Sequence, residues 1–214
     1  MPSTQLFILS PASCSGQRAE LLFNERAQFF LARQLRDQGA TLGEVFSFLS
    51  GLYFRGKLTY ARAFAGPMAE PVMPQRAFPT GICVITAGRG LVDPEMIVGL
   101  EDLRAFAAVS IDAREPRYRE PLVRDAAALA AKLPAAGRAV LLGSIASDKY
   151  VDILHEAFGE RLVFPQAFVG RGDMSRGGLL LRAVVEGEEL DYVPVMGSVR
   201  RGARPGRLPP RRRF

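Results

Sequence analysis

The sequence predicts an α/β fold: a single domain with a mixed or parallel central sheet flanked by helices, and a helix-hairpin-helix-like insertion. Three observations predict it. Short apolar runs (QLFILS at 5–10, GICVITAG at 81–88, AVLLGSIA at 139–146 and RLVFPQAFVG at 161–170) alternate with stretches of helical spacing. The runs are continuously apolar rather than alternating, the pattern of strands buried on both faces. At 214 residues, 48% apolar and 23% charged, the chain has the size and composition of one ordinary globular domain with a full core.

Gln5–Ser10 reads as the first strand, and the small residues Pro11–Gly16 as the turn that follows it. From Ala19 the spacing of Leu21, Leu22, Phe29, Phe30 and Leu35 predicts one helix, stopped by Gly39. Thr41 followed three residues later by Glu44 predicts a capping box and a second helix carrying Leu42, Val45, Phe46, Phe48 and Leu49. Gly51 and Gly56 bracket YFR, and KLTYARAFA reads as a third, short helix. Four prolines mark 67–79 as a loop.

Gly81–Gly88 is the second strand, rich in β-branched residues, and Arg89–Pro94 reads as a loop at its end. Leu100–Ile111 fits either strand or helix. Arg114–Glu120 reads as a charged linker, and Pro121–Leu133 as an alanine-rich helix. A β-α-β unit follows: the 139–146 run, a helix over Asp148–Gly159, and the 161–170 run. GLLLRAVVEG closes the body as helix or strand.

The net charge of +6 is unevenly placed. Seven arginines (200, 201, 204, 207, 211, 212 and 213) lie in 198–214, which has no acidic residue; without them 21 basic residues face 22 acidic ones, a body charge of −1. This Arg/Pro/Gly-rich segment reads as a disordered tail, either a salt-sensitive phosphate contact or a solubilising end. No run is long enough to span a bilayer, and the first residues lack a positive leader, so a cytoplasmic protein without membrane contact is expected. Two cysteines make no disulfide framework. Together with the single His155, which fits a half-buried helix position, they show no metal spacing, so neither metal nor cofactor is expected.

Parallel strands would bring the loops at 10–18, 86–94 and 144–147 to one edge, where open α/β sheets bind ligands. The 171–176 loop could close over them. Arg171, Ser175 and Arg176 are the foremost candidates for holding an anion, since guanidinium forks match phosphate oxygens. Ser10, Ser13, Ser15 and Arg18, with Arg89 and Ser147, form a second anion-binding group. Cys14 is either a nucleophile or a packing residue. Asp93 and Asp148 are either catalytic carboxylates or turn and helix-start residues. Phe46, Phe48, Tyr53 and Phe54 suit core packing better than base stacking. Tyr150 suits either role.

Read in order, these segments resemble the bacterial YaaA family of peroxide-stress proteins, within the uracil-DNA-glycosylase-like superfamily. Phe7–Ala12 (FILSPA) is similar to the family's I-L-I-S-P-A, Thr86–Leu91 to its S-G-L-Y-G-x-L, Ser144–Tyr150 (SIASDKY) to N-L-A-S-x-E-Y, and Gly170–Arg176 (GRGDMSR) to A-R-G-x-M-S-R. Cys14–Arg18 and Gly90–Pro94 are similar to C-S-K-R-K and G-L-x-x-P of a related branch. Ser13 stands where the family has lysine, and Phe168 and Val169 stand where it has two more. The resemblance implies DNA binding, partly through a helical hairpin matching Thr41–Ala65. There Arg55, Lys57 and Arg62 would be the nucleic-acid contacts. The expected partner is therefore DNA or a nucleotide-like small molecule. The first expectation is nucleic-acid or nucleotide binding, with protection of DNA under peroxide stress. The alternative is a glycosylase- or nucleosidase-like enzyme acting on a nucleobase derivative or a small anionic metabolite.

Overall fold

The structure, a computed structural model, describes residues 4–66, 68, 78–146, 148–200, 202–206 and 208. Its centre is a six-stranded sheet. In space the strands run β4 (Gly90–Val92), β3 (Ile82–Thr86), β1 (Gln5–Leu9), β6 (Arg138–Leu142), β7 (Leu162–Pro165) and β8 (Tyr192–Pro194). The four inner strands are parallel; β4 and β8 close the edges antiparallel. Leu6–Leu9 and Ala139–Leu142 are wholly buried, as continuous apolar runs covered on both faces must be. Each large side chain so buried contributes about 1.5–3 kcal/mol.

The connection leaving β1 carries four helices and returns to β3 on one side; the connection leaving β6 carries α7 (Val151–Phe158) and returns to β7 on the other. The chain thus diverges between β1 and β6, at their carboxyl ends, which is the switch point where such sheets form a crevice. Before β3 come α1 (Gln17–Phe23), α2 (Phe30–Asp37), the short β2 (Ala40–Thr41), α3 (Leu42–Ser50) and α4 (Leu52–Phe64). Thr41 and Glu44 form the capping box that their spacing predicts. A second, two-stranded sheet pairs β2 with β5 (Ile97–Val98).

Several elements depart from the sequence reading. The helix expected from Ala19 to Gly39 is two, broken at the polar stretch beginning at Asn24, whose side chain accepts from the Arg26 N–H. YFR belongs to α4, because Tyr53 and Phe54 are buried with Lys57 and Leu58 on one helical stripe. Leu100–Ile111 resolves as the helix α5 (Leu100–Ala107). Arg114–Glu120 is no linker: α6 (Pro116–Lys132) starts there on Pro116, with Glu115 as its cap. The Arg89–Pro94 loop is a hairpin that folds back on β3 through Gly88 (φ 103°) and Gly90 (φ 67°).

The 171–176 loop is in large part the first turn of α8 (Asp173–Glu186). Helices α4 and α8 pack at closest approach through glycines. A Cβ on Gly177 would meet Leu52 O at 2.8 Å, and one on Gly56 would meet Gly177 O at 2.8 Å. Both helices begin at the carboxyl edge of the sheet, which sets their first turns over the crevice.

Candidate functional site at the carboxyl edge

Lys57 marks the centre of the crevice. It projects from the second turn of α4 and is only 1% exposed. Its Nζ donates to Ser10 O (2.6 Å) and Ser10 Oγ (2.9 Å), just beyond the end of β1. The amine also lies 4.6 Å from the Tyr53 ring centroid and 4.7 Å from that of Phe54. Burial lowers its pKa to about 7, with the nearby Asp173 carboxylate opposing that shift and the Arg176 guanidinium adding to it. The lysine expected as a surface nucleic-acid contact is therefore an interior group. The signal was in the sequence: Tyr53, Phe54, Tyr60 and Ala61, three and four residues to either side, place Lys57 in the middle of the buried stripe.

The other walls come from three segments. Tyr150 Oη accepts from Ser144 N and donates to Ser144 O, both at 3.0 Å, pinning the turn after β6. A Cβ on Gly143 would meet Tyr150 Oη and Ser10 Cβ at 2.9 Å, so glycine is needed where the β1 and β6 turns touch. Arg176 is buried, donates to Phe168 O (3.2 Å), and lies 3.5 Å from Asp173 Oδ1. Tyr53 is 5% exposed; the Arg176 guanidinium is close enough to donate towards its Oη, whose own proton finds no acceptor.

Among the cavities at this edge, two are lined by residues of the predicted loops. One, of about 700 Å³, is lined by the first turn of α8 with Arg171, Arg204, Pro205 and Leu208. The α8 cap residue is Gly172, which has no side chain to hold the first N–H groups. Arg171 Nη1 donates to Ser175 Oγ (3.2 Å) and Gly206 O (3.3 Å), which ties the C-terminal segment to the helix start. Arg200 pairs with Asp148 and Asp152. The described part of 198–208 is thus not the free tail that its composition suggests: it lies across the starts of α7 and α8. The other cavity, of about 290 Å³, is lined by Ser13, Cys14, Ser15, Phe46, Phe106, Ser110 and Lys149, among others.

The predicted residues therefore divide. Ser10 accepts from Lys57 at the crevice, and Arg176 lies close enough to Lys57 to act on its charge. Arg171 and Ser175 line the larger cavity, while Ser13, Ser15 and Cys14 line the smaller one. Burial pushes the Cys14 thiol up to about 12, which removes the thiolate a nucleophile needs. Arg18 donates to Phe48 O, Arg89 pairs with Asp102 beneath Phe106, and Arg62 pairs with Glu95; none of the three reaches the crevice residues. Arg55 is exposed on α4, and Ser147 lies outside the described residues. Asp93 is carried away from the edge because β4 runs back beside β3, Val92 pairing with Val84. Asp148 is exposed and held by Arg200. The two carboxylates are not brought together, and no acid–base pair of the glycosidase kind is formed by them.

Phe46 and Phe54 pack edge to face in the core, and Phe48 stacks on Phe29, so these rings form no base platform. Among the described residues no group of His, Cys, Asp and Glu is placed to hold a metal, and no helix is long and apolar enough to cross a membrane. No family model matches the chain, and neither does any curated protein or solved structure; what the site does rests on its own geometry.

Proposed function

We propose that the protein binds a phosphate-bearing small molecule of the nucleotide class at the start of α8. One observation carries this reading: the uncapped first turn of a 14-residue helix, Arg171 and Arg204 all face one cavity of about 700 Å³. Backbone N–H groups at a helix start and planar guanidinium groups are the donors that phosphate oxygens accept from. The volume lies within the usual range for small-molecule sites. Met174, Pro205 and Leu208 add apolar surface on which a base can rest.

A nucleic-acid strand offers the same phosphate, and the seven arginines of 198–214 favour it as a second reading. The body charge of −1 favours the small ligand. Calorimetric titration with AMP and with a single-stranded oligonucleotide, each repeated with Arg171→Gln, separates the two. The first reading predicts AMP binding that weakens at least about tenfold in the variant, the loss of one charge-assisted contact. Oligonucleotide binding without AMP binding selects the second reading, and no binding of either overturns both.

A further inference from the structure

We infer that the Asp173 carboxylate occupies the seat of a ligand oxyanion, a position at the cavity wall beside Arg176 and next to Tyr53 and Lys57, that a second acidic group of the cavity's ligand takes over. The inference rests on the proposed cavity and adds a ligand class to it: a molecule with two anionic groups.

The charge balance points to it. Lys57 and Arg176 are two cationic side chains buried side by side, and the carboxylate acting on both is Asp173. That carboxylate is held only loosely. Its side chain is 69% exposed, lies 3.5 Å from Arg176 Nη1, and also lines the 700 Å³ cavity. Asp173 therefore joins the cavity to the Arg176 guanidinium. The second observation is Tyr53. Its hydroxyl is buried at the same cluster, where the Arg176 guanidinium is close enough to donate towards it but its own proton has no acceptor. Buried hydroxyls are nearly always paired, and leaving one unmade is costly. An oxyanion at the Asp173 position, with more oxygens than a carboxylate, gives Tyr53 Oη its acceptor.

The titratable and charged groups acting on Lys57 are Tyr53 on its own helix and Asp173 and Arg176 on α8, and Tyr150 at the start of α7 reaches the same Ser10. Both tyrosines are pushed above their usual range by burial, so they stay neutral at physiological pH. Lys57 is the member of this group that changes charge near neutrality. An incoming anion favours its protonated form, so binding takes up a proton and weakens as pH rises.

Sulfate is the probe, because it stays a dianion throughout the range. Titrated calorimetrically into the full chain at pH 6, 7, 8 and 9, its affinity is expected to fall steadily as pH rises, by up to about 90-fold, the limit for a site of pKa about 7 that binds only when protonated. Tyr53→Phe should weaken it about tenfold, and Asp173→Asn, which removes the competing carboxylate, should strengthen it. Neither variant removes a packed apolar group. Affinity that is flat with pH, unchanged by Tyr53→Phe or weakened by Asp173→Asn overturns the inference. Sulfate binding lost only in Arg171→Gln places the anion at the rim: the cavity reading then stands and this one falls. Absence of both sulfate and AMP binding removes both.

Discussion

Replacing Gly177 by alanine tests the packing that sets the site. The added Cβ would sit 2.8 Å from Leu52 O, 2.9 Å from Tyr53 Cα and 3.0 Å from Leu52 C. All three neighbours are backbone atoms of α4, so no side chain can rotate aside, and the helices must separate. Overpacking of this kind costs about 1–3 kcal/mol. Alanine in a helix interior returns about 1 kcal/mol relative to glycine. The expected net loss is up to about 2 kcal/mol, a fall in Tm of up to about 8 °C for a chain of this size. Gly178→Ala is the internal control. Its Cβ meets nothing nearer than Leu208 Cδ1 at 3.6 Å, an ordinary contact, so it should be neutral or gain up to about 1 kcal/mol. Denaturant unfolding of the three proteins compares them directly. Because α4 carries Tyr53 and Lys57 while α8 carries Arg176, Gly177→Ala should also weaken sulfate binding. A Gly177→Ala protein as stable as the Gly178→Ala protein would refute the close approach of the two helices.

Three further outcomes follow from buried groups. Lys57 has a folded pKa of about 7 against an ordinary value of 10.5, so between those values the unfolded chain holds more protons. Stability therefore rises with pH from about 7 towards 10, by a few kcal/mol at most, and Lys57→Met should flatten that rise in urea titrations. Both thiols are buried and pushed upward, so Cys14 and Cys83 should react with a thiol reagent at neutral pH only on unfolding; reaction of the native protein within minutes would contradict their placement. Asp125 is wholly buried, accepts from Leu91 N at 2.9 Å and pairs with Arg124, so Asp125→Ala should cost about 2–4 kcal/mol and loosen β4, read as faster amide exchange at Leu91.

The strands and their order of alternation were legible because β1, β3 and β6 are buried on both faces and leave uninterrupted apolar runs. The capping box was legible because Thr41 and Glu44 stand at the required spacing. The hairpin was not. Its second strand is only Gly90–Val92, and the glycines that allow its turn read equally well as an open loop. That one misreading moved Asp93 from the far end of β4 to the carboxyl edge. The start of α8 was hidden for a similar reason. Four glycines among 170–178 suggest a loop, whereas Gly177 serves helix-to-helix contact. Arg171, Ser175 and Arg176 stand out in the sequence by residue type, whereas Lys57 enters only through the helical-hairpin resemblance; Tyr53, expected in the core, is packed there. Tertiary packing decides those two: only the approach of α8 encloses them beside Ser10 and Arg176.

The most direct measurement is a crystal structure of the full chain with AMP. The phosphate is expected within hydrogen-bond distance of the Met174 and Ser175 N–H groups and the Arg171 guanidinium, with Arg204 closing the cavity. A phosphate bound elsewhere, at Ser13–Ser15 or on the far face, or no AMP at millimolar concentration, would contradict it.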